Sequence, residues 1–207
     1  ATDITSEIFR IKRYFPNAKF IHIIRDGRNS TLSRVKNRKR YGYPFGVTDI
    51  YTGAKGWIKQ INEVIQAKKV YANDIFEVRY EDLLIETENG LKKIFEFIEV
   101  ETSINQIKEI VNKFNYKQNK LSNPNSSIVD QNGQVLEPYL KEMSFWSKVL
   151  FEYLAIDFLE KYHYNTYGYA QRKYIILFFR QWWFFVRVFK FFKRSIRLFV
   201  KKGKKLF

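Results

Sequence analysis

The sequence predicts an α/β fold in which helices flank a parallel sheet. Two short strand-like runs, at residues 20–24 and 75–80, alternate with helical patterns, and this alternation is typical of parallel strands joined by crossover helices. Almost half of the 207 residues are hydrophobic, so the chain has enough apolar side chains for a buried core. We therefore expect one α/β domain over residues 1–170 and a separate C-terminal element after it.

The first two elements follow from the spacing of apolar residues. Ile4, Ile8 and Ile11 recur at helical spacing and predict a helix over residues 4–14. The run FIHII at residues 20–24 is short, mostly apolar and β-branched, which favours a buried parallel strand over a half-exposed one.

The residues after this strand predict a turn and a second helix. Gly27 allows a tight turn, and Asp26 or Asn29 can cap a helix that runs to about residue 39. The later patterns predict a strand at residues 75–80, an extended loop rich in Asn, Ser and Gln at 115–138, and helices at 49–71, 87–98, 103–114 and 142–163.

Positive charge is concentrated at the two ends of the chain. The formal net charge is +16. Residues 1–50 contain 11 Lys and Arg against 4 Asp and Glu, residues 51–170 contain 14 against 17, and residues 171–207 contain 12 against none. The middle of the chain therefore has an ordinary surface, whereas both ends should attract anions.

The metal-binding and disulfide-forming residues are few. The chain contains no cysteine, which excludes a disulfide scaffold and thiolate metal sites. His22 and His163 are its two histidines, and they lie too far apart in sequence to form a local metal motif. We therefore expect no metal site.

The segment RDGRNSTLS places anion-binding groups where the first strand ends. Ligands of parallel sheets bind at the carboxyl ends of strands, where the next helix presents its N-terminal N–H groups and dipole. Arg25 adds a planar guanidinium and Ser33, about one turn into the helix, adds a hydroxyl donor. The pattern predicts a phosphate or sulfate site. It also allows Arg25 to pair with Glu81 or Asp82, with Ser33 on the surface.

Two segments together resemble the sulfotransferases that use 3′-phosphoadenosine 5′-phosphosulfate (PAPS). FPNAKFIHIIRDGRNSTLS is similar to their 3′-phosphate-binding segment, and VRYEDLL is similar to their Tyr-Glu-Asp segment. The resemblance implies that Arg25 and Ser33 share the 3′-phosphate of PAPS and that Tyr80 lies near the adenine. It also suggests Lys141 and Lys148 as later basic contacts to the same phosphate.

The sequence departs from the family pattern at its start. The family's P-loop-like fold opens with a strand and a turn that binds the 5′-phosphosulfate, and no such stretch occurs here, so we expect a domain that is incomplete at its N-terminus. The catalytic base usually lies upstream of the arginine. Asp3 and Glu7 are near that region without a motif, and His22 fits a packed strand histidine better, so no catalytic residue is assigned.

The resemblance implies an enzyme that moves a sulfuryl group from PAPS to a hydroxyl-bearing acceptor. A saccharide or glycolipid acceptor is suggested by the C-terminal segment alone. The alternative is a non-catalytic, membrane-peripheral module that binds an anion or nucleotide. A nucleotide kinase of related fold and a nucleic-acid-binding protein are further alternatives, although we expect no nucleic-acid partner.

Residues 171–207 combine basic and aromatic side chains. On a helical wheel the basic residues fall mostly on one half and Trp and Phe on the other, while the charges exclude a membrane-spanning segment. This pattern predicts a basic amphipathic helix on an anionic membrane surface. Docking on the α/β domain is the nearest alternative. With no long apolar leader near Ile4, we expect a cytoplasmic protein, peripheral on the membrane.

Overall fold

The computed structural model of the protein describes residues 4–42, 47–113 and 137–168. Short 3-10 turns occur at Thr5–Glu7 and Ala72–Asp74. The strands are β1 (Phe20–Ile24) and β2 (Ile75–Arg79). The helices, in chain order, are α1 (Ile8–Tyr14), α2 (Gly27–Tyr41), α3 (Ile50–Val70), α4 (Tyr80–Ile85), α5 (Thr87–Phe97), α6 (Ile104–Lys113), α7 (Pro138–Glu142) and α8 (Phe145–Lys161).

The two strands form a parallel sheet. They pair in register from Phe20 opposite Ile75 to Ile24 opposite Arg79, with α2 and α3 in the crossover between them. The predicted α/β class with a parallel sheet is therefore confirmed. Within the described ranges the sheet has two strands, and the P-loop-like fold stays a prediction.

The main core lies between α3 and α8 and extends to β1. Trp57 of α3 packs against Phe151 and Phe158 of α8, with ring centroids 5.9 and 6.5 Å apart, and Ile24 of β1 belongs to the same cluster. A smaller cluster joins Ile8 of α1 to α3 and β2. These contacts fix the end of β1 against α3, next to the residues that follow the strand.

Gly27 allows the first turn of α2 to approach this core closely. A Cβ at this position would lie 2.4 Å from Cδ2 of Trp57 and 2.7 Å from Cζ of Phe151, which is closer than carbon atoms pack. Glycine is therefore required at position 27, because the backbone lies against the Trp57 and Phe151 rings.

Two expectations about the strands need correction. Ile24 is buried, but Ile21 and Ile23 are 40% and 52% exposed, because the described residues leave that face of β1 partly uncovered. The expectation of full burial is therefore wrong. β2 ends at Arg79, one residue earlier than expected, and Tyr80 begins α4.

The C-terminal half also differs from the sequence-based expectation. α7 occupies residues 138–142, between the loop expected at 115–138 and the helix expected at 142–163, because Pro138 at its first position is suited to start a helix. Residues 115–136 of that expected loop fall outside the described part of the chain. The described residues up to Asn165 form one compact unit, and a second begins at Thr166.

The predicted helix at 171–207 and the boundary at residue 170 also fall outside the described residues and stay predictions. Among the helices that the structure describes, none has both the length and the apolar character needed to cross a membrane.

Candidate functional site

Arg25 and Tyr80 meet at the carboxyl edge of the sheet. Each residue directly follows a strand, and because β1 and β2 are parallel both lie at the same edge. Cζ of Arg25 lies 5.2 Å from the centroid of the Tyr80 ring, a distance that allows a cation–π interaction. The structure therefore brings together two of the residues that the sequence analysis selected.

The guanidinium of Arg25 has unused hydrogen-bonding capacity among the described residues. The side chain is half-buried. Its Nε is buried and has no hydrogen-bond partner in the described part of the chain. The alternative pairing with Glu81 or Asp82 is not observed, since Glu81 bonds to Asp26 and Tyr164 and Asp82 pairs with Arg79 at 3.4 Å.

The turn between β1 and α2 is held by Asp26 and Arg28. A carboxylate oxygen of Asp26 accepts the backbone N–H of Arg28 at 2.8 Å and caps the helix, as predicted. The Arg28 guanidinium bonds both Asp26 oxygens, with Nη2 2.7 Å from Oδ2. Its Nη1 donates to Oε1 of Glu152 on α8 at 3.1 Å, and the group lies 4.2 Å from the centroid of the Tyr139 ring.

Arg28 is fully buried and remains charged. Burial by itself lowers the pKa of Arg28, but the hydrogen bond and charge of Asp26 raise it more, and Tyr139 and Glu152 raise it further, so the pKa lies above its ordinary value. This buried cation balances part of the negative charge of the surrounding carboxylates.

Glu81 joins the end of β2 to the end of β1. Its Oε1 accepts the backbone N–H of Asp26 at 3.0 Å, and its Oε2 accepts the hydroxyl hydrogen of Tyr164 at 3.0 Å. The same Tyr164 hydroxyl lies 3.3 Å from the carbonyl oxygen of Ile24. Burial and the charge of Glu81 raise the pKa of Tyr164, so the phenol stays protonated as a donor.

The backbone of Arg25 itself is bonded to α3. Nε1 of Trp57 on α3 donates to its carbonyl oxygen at 3.1 Å. Three helices therefore hold this turn. Trp57 of α3 and Glu81 of α4 bond its main chain, and Glu152 of α8 bonds the side chain of Arg28.

The other predicted cofactor residues are not joined to Arg25 by any hydrogen bond or ion pair among the described residues. Ser33 is half-buried and is the seventh residue of α2, nearly two turns from its start rather than about one. Lys148 is half-buried and donates to the carbonyl oxygen of Leu140 at 3.0 Å, and Lys141 is exposed in the last turn of α7. Their roles in binding stay predictions.

The residues near the expected catalytic base have local partners where they are described. Nδ1 of His22 lies 3.3 Å from Oε1 of Glu77, its partner in the sheet register, so this histidine is packed within the sheet. Glu7 pairs with Arg10 at 2.6 Å, and Asp3 lies outside the described residues. Within the described ranges, no cluster of three or more His, Asp or Glu residues could hold a metal ion.

Sequence reasoning did not select Arg28, Glu81, Glu152 or Tyr164 as parts of the site. Arg28 carried one usable signal. A cation in the first turn of a helix opposes the helix dipole, so a buried carboxylate near it should have been expected. Glu152 and Tyr164 carried no local signal, because they reach the turn only through tertiary packing.

The fold and the site define the class of this protein as an α/β domain with an arginine and a tyrosine side by side at the carboxyl edge of a parallel sheet. Comparison with known proteins gives the family. Residues 3–103 match the model of the sulfotransferase family, and this range includes Arg25, Ser33 and Tyr80 but not Lys141 or Lys148. This match supports a sulfotransferase-family domain in the chain.

Two curated relatives support the same family. The chain is 31% identical over 91 residues to protein-tyrosine sulfotransferase A of Caenorhabditis elegans. This match covers 44% of this chain and 24% of the relative. It is 30% identical over 137 residues to the protein-tyrosine sulfotransferase of Drosophila melanogaster, and this match covers 64% of this chain and 26% of the relative. The chain thus matches about a quarter of the length of each relative.

Proposed function

We propose that this sulfotransferase-family domain binds PAPS by its 3′-phosphate and that the whole protein transfers the sulfuryl group to a hydroxyl. One observation carries the proposal. Arg25 lies beside the Tyr80 ring at the carboxyl edge of the sheet, and its buried Nε has no partner among the described residues. A guanidinium in this position is suited to a dianionic group.

The surroundings of Arg25 favour a nucleotide phosphate over a small free anion. The start of α2 places a helix dipole at the same edge, and the half-buried Tyr80 has an aromatic ring of the kind on which a purine stacks. Ser33 contributes a hydroxyl further along α2, in the role that the family resemblance implies.

When bound, PAPS supplies the sulfuryl group that is transferred. The residues described here anchor the cofactor at a distance from the reacting atoms, and such remote binding energy positions a reacting group without touching it. Arg25 and Tyr80 therefore act as binding residues in this proposal, and no residue is assigned as the base.

The acceptor is proposed as a hydroxyl-bearing molecule. Both relatives are described as protein-tyrosine sulfotransferases, which supports a tyrosine hydroxyl of a protein as the first acceptor to test. The saccharide or glycolipid acceptor was suggested by the composition of residues 171–207 and has no further support.

Calorimetry with adenosine 3′,5′-bisphosphate tests the proposal. The 207-residue chain should bind this nucleotide, and Arg25→Ala should weaken binding by about 30- to 1000-fold, since a charge-assisted contact in a partly desolvated site contributes on the order of 2–4 kcal/mol. Arg34→Ala is the matched control, because it removes the same charge from an exposed position on α2.

The outcomes separate the alternatives. Equal losses from Arg25→Ala and Arg34→Ala would show that the basic chain attracts nucleotides without a specific site. Absence of binding by the wild-type chain would contradict the cofactor site. Specific binding without transfer to any hydroxyl acceptor by the whole protein would favour the non-catalytic nucleotide-binding module.

A further inference from the structure

Glu81 connects the two residues of the proposed cofactor site. It follows Tyr80 directly in sequence, and its carboxylate bonds to Asp26, the residue that follows Arg25. We propose that Glu81 is a positioning residue, which holds the two strand ends so that Arg25 and Tyr80 present one joint surface to the ligand. This inference rests on the proposed function, since it concerns the same site.

The sheet itself does not extend far enough to hold these residues. The paired register ends with Ile24 opposite Arg79, one residue before Arg25 and Tyr80. Beyond that point, the hydrogen bond from the Asp26 amide to Oε1 of Glu81, at 3.0 Å, continues the connection between the two chains. Glu81 thus takes the place of the next rung of the ladder.

Both oxygens of Glu81 are fixed, so the side chain can serve as a rigid link. Its Oε2 accepts from the Tyr164 hydroxyl at 3.0 Å, and the residue is 8% exposed. The Tyr164 oxygen also lies 3.3 Å from the carbonyl oxygen of Ile24, on the strand that leads to Arg25. A displacement of Glu81 would therefore shift both Tyr80, which precedes it, and the residues that flank Arg25.

The negative charge of Glu81 is not what the site needs. A carboxylate near an anion-binding guanidinium repels the anion, so Glu81 would serve this site through its geometry rather than through its charge. Glutamine preserves that geometry. Its carbonyl oxygen can accept the Asp26 amide while its NH₂ donates to the Tyr164 oxygen, and the Tyr164 hydroxyl can turn to Ile24.

Binding of adenosine 3′,5′-bisphosphate to position-81 variants tests the proposal. We expect Glu81→Ala to weaken binding on the order of tenfold or more, while Glu81→Gln stays within about threefold of wild type. Glu77→Ala is the matched control, because it removes a hydrogen-bonded, half-buried carboxylate from β2, the strand that leads to Glu81, on a part of the sheet away from Arg25. It should leave the affinity unchanged.

A double-mutant cycle separates positioning from general damage. If Glu81 acts through Arg25, Glu81→Ala should have little further effect in an Arg25→Ala background. Equal losses in the two backgrounds, an unchanged affinity in Glu81→Ala, or a loss in Glu81→Gln as large as in Glu81→Ala would each overturn the proposal.

Amide hydrogen exchange provides a readout that needs no nucleotide. Exchange at the Asp26 amide should accelerate in Glu81→Ala but not in Glu81→Gln or Glu77→Ala. Unchanged exchange in Glu81→Ala would overturn the positioning role even if nucleotide binds. If exchange accelerates in Glu81→Ala while the wild-type chain binds no nucleotide, the proposed function alone would be refuted.

Tyr164→Phe keeps the test decisive if Glu81→Ala fails to fold. The substitution removes only the hydroxyl that fixes Oε2 of Glu81. We expect faster exchange at Asp26 and a weaker affinity, by about threefold or more. Wild-type values for both would contradict the proposal.

Discussion

Arg28 and Glu152 lie 124 positions apart in the chain, yet Nη1 of the arginine is 3.1 Å from Oε1 of the glutamate, and neither side chain is exposed. The same guanidinium bonds Asp26. One buried cation therefore ties the turn after β1 to α8.

Replacement of Arg28 by alanine should be strongly destabilising. It leaves the carboxylates of Asp26 and Glu152 buried without their cation, and breaking a buried ion pair in this way costs about 3–5 kcal/mol. Arg28→Lys should also be destabilising, because one ammonium cannot reproduce the fork that bonds both Asp26 oxygens. Urea unfolding followed by circular dichroism measures the free energy of unfolding. Arg34→Ala, on the exposed face of α2, should change it little.

A methyl group at position 27 should not fit. The Cβ of Gly27→Ala would lie 2.4 Å from Cδ2 of Trp57, and such overpacking costs about 1–3 kcal/mol. Gly56→Ala is the matched comparison in α3, because nothing lies within 4 Å of its added Cβ. That change should stabilise by about 0.5–1 kcal/mol, since alanine favours the helix. Opposite shifts in melting temperature are expected, and a neutral Gly27→Ala would contradict the packing described for this turn.

Much of the fold was predictable because its signals are local. The run FIHII placed β1 at the residues where the structure has it. Asp26 was one of two predicted caps, with Asn29, and its short carboxylate reaches the N–H of Arg28. The end of β2 was less predictable. Tyrosine is common in strands, so only the register with β1 shows that pairing ends at Arg79.

The candidate site was predictable only in part, because some of its contacts join residues that are distant in sequence. Arg25 and Tyr80 each follow a strand, so the rule for parallel sheets places them at one edge. Glu81 was considered only as a partner of Arg25, because nothing in the segment RYEDLL indicates that its carboxylate bonds to a backbone amide 55 positions earlier. The bond from Lys148 to the carbonyl oxygen of Leu140 was not predictable, because the packing of the α7–α8 corner sets it.

Acid should weaken the fold through Glu77. This half-buried carboxylate is opposed by burial, which raises its pKa, but hydrogen bonds from His22, Lys68 and Tyr162 and the charge of Lys68 lower the pKa more, from 4.5 to about 2. A folded-state pKa below the unfolded value means that the stabilisation is complete above about pH 5 and is lost as the pH falls toward 2.

The expected loss across that range is about 2–3 kcal/mol, allowing for partial solvent screening. Chemical unfolding at a series of pH values should show a shallower acid slope for Glu77→Gln than for wild type. Glu96→Gln is the control, because Glu96 forms an exposed pair with Lys92 at 3.8 Å. Parallel slopes for wild type and Glu77→Gln would contradict the assignment.

The membrane prediction for residues 171–207 can be tested independently of the nucleotide site. This segment has 12 basic and no acidic residues, with Trp and Phe between them, a composition suited to the interface of an anionic bilayer. The full chain should pellet with vesicles that contain phosphatidylserine and remain in solution with phosphatidylcholine alone. Deletion of residues 171–207 should abolish pelleting. Salt should weaken binding only in part, since the aromatic contribution is not screened. Equal pelleting with and without the segment would refute the prediction, and a truncated chain that still binds adenosine 3′,5′-bisphosphate would show that the two ends of the protein attract anions for separate reasons.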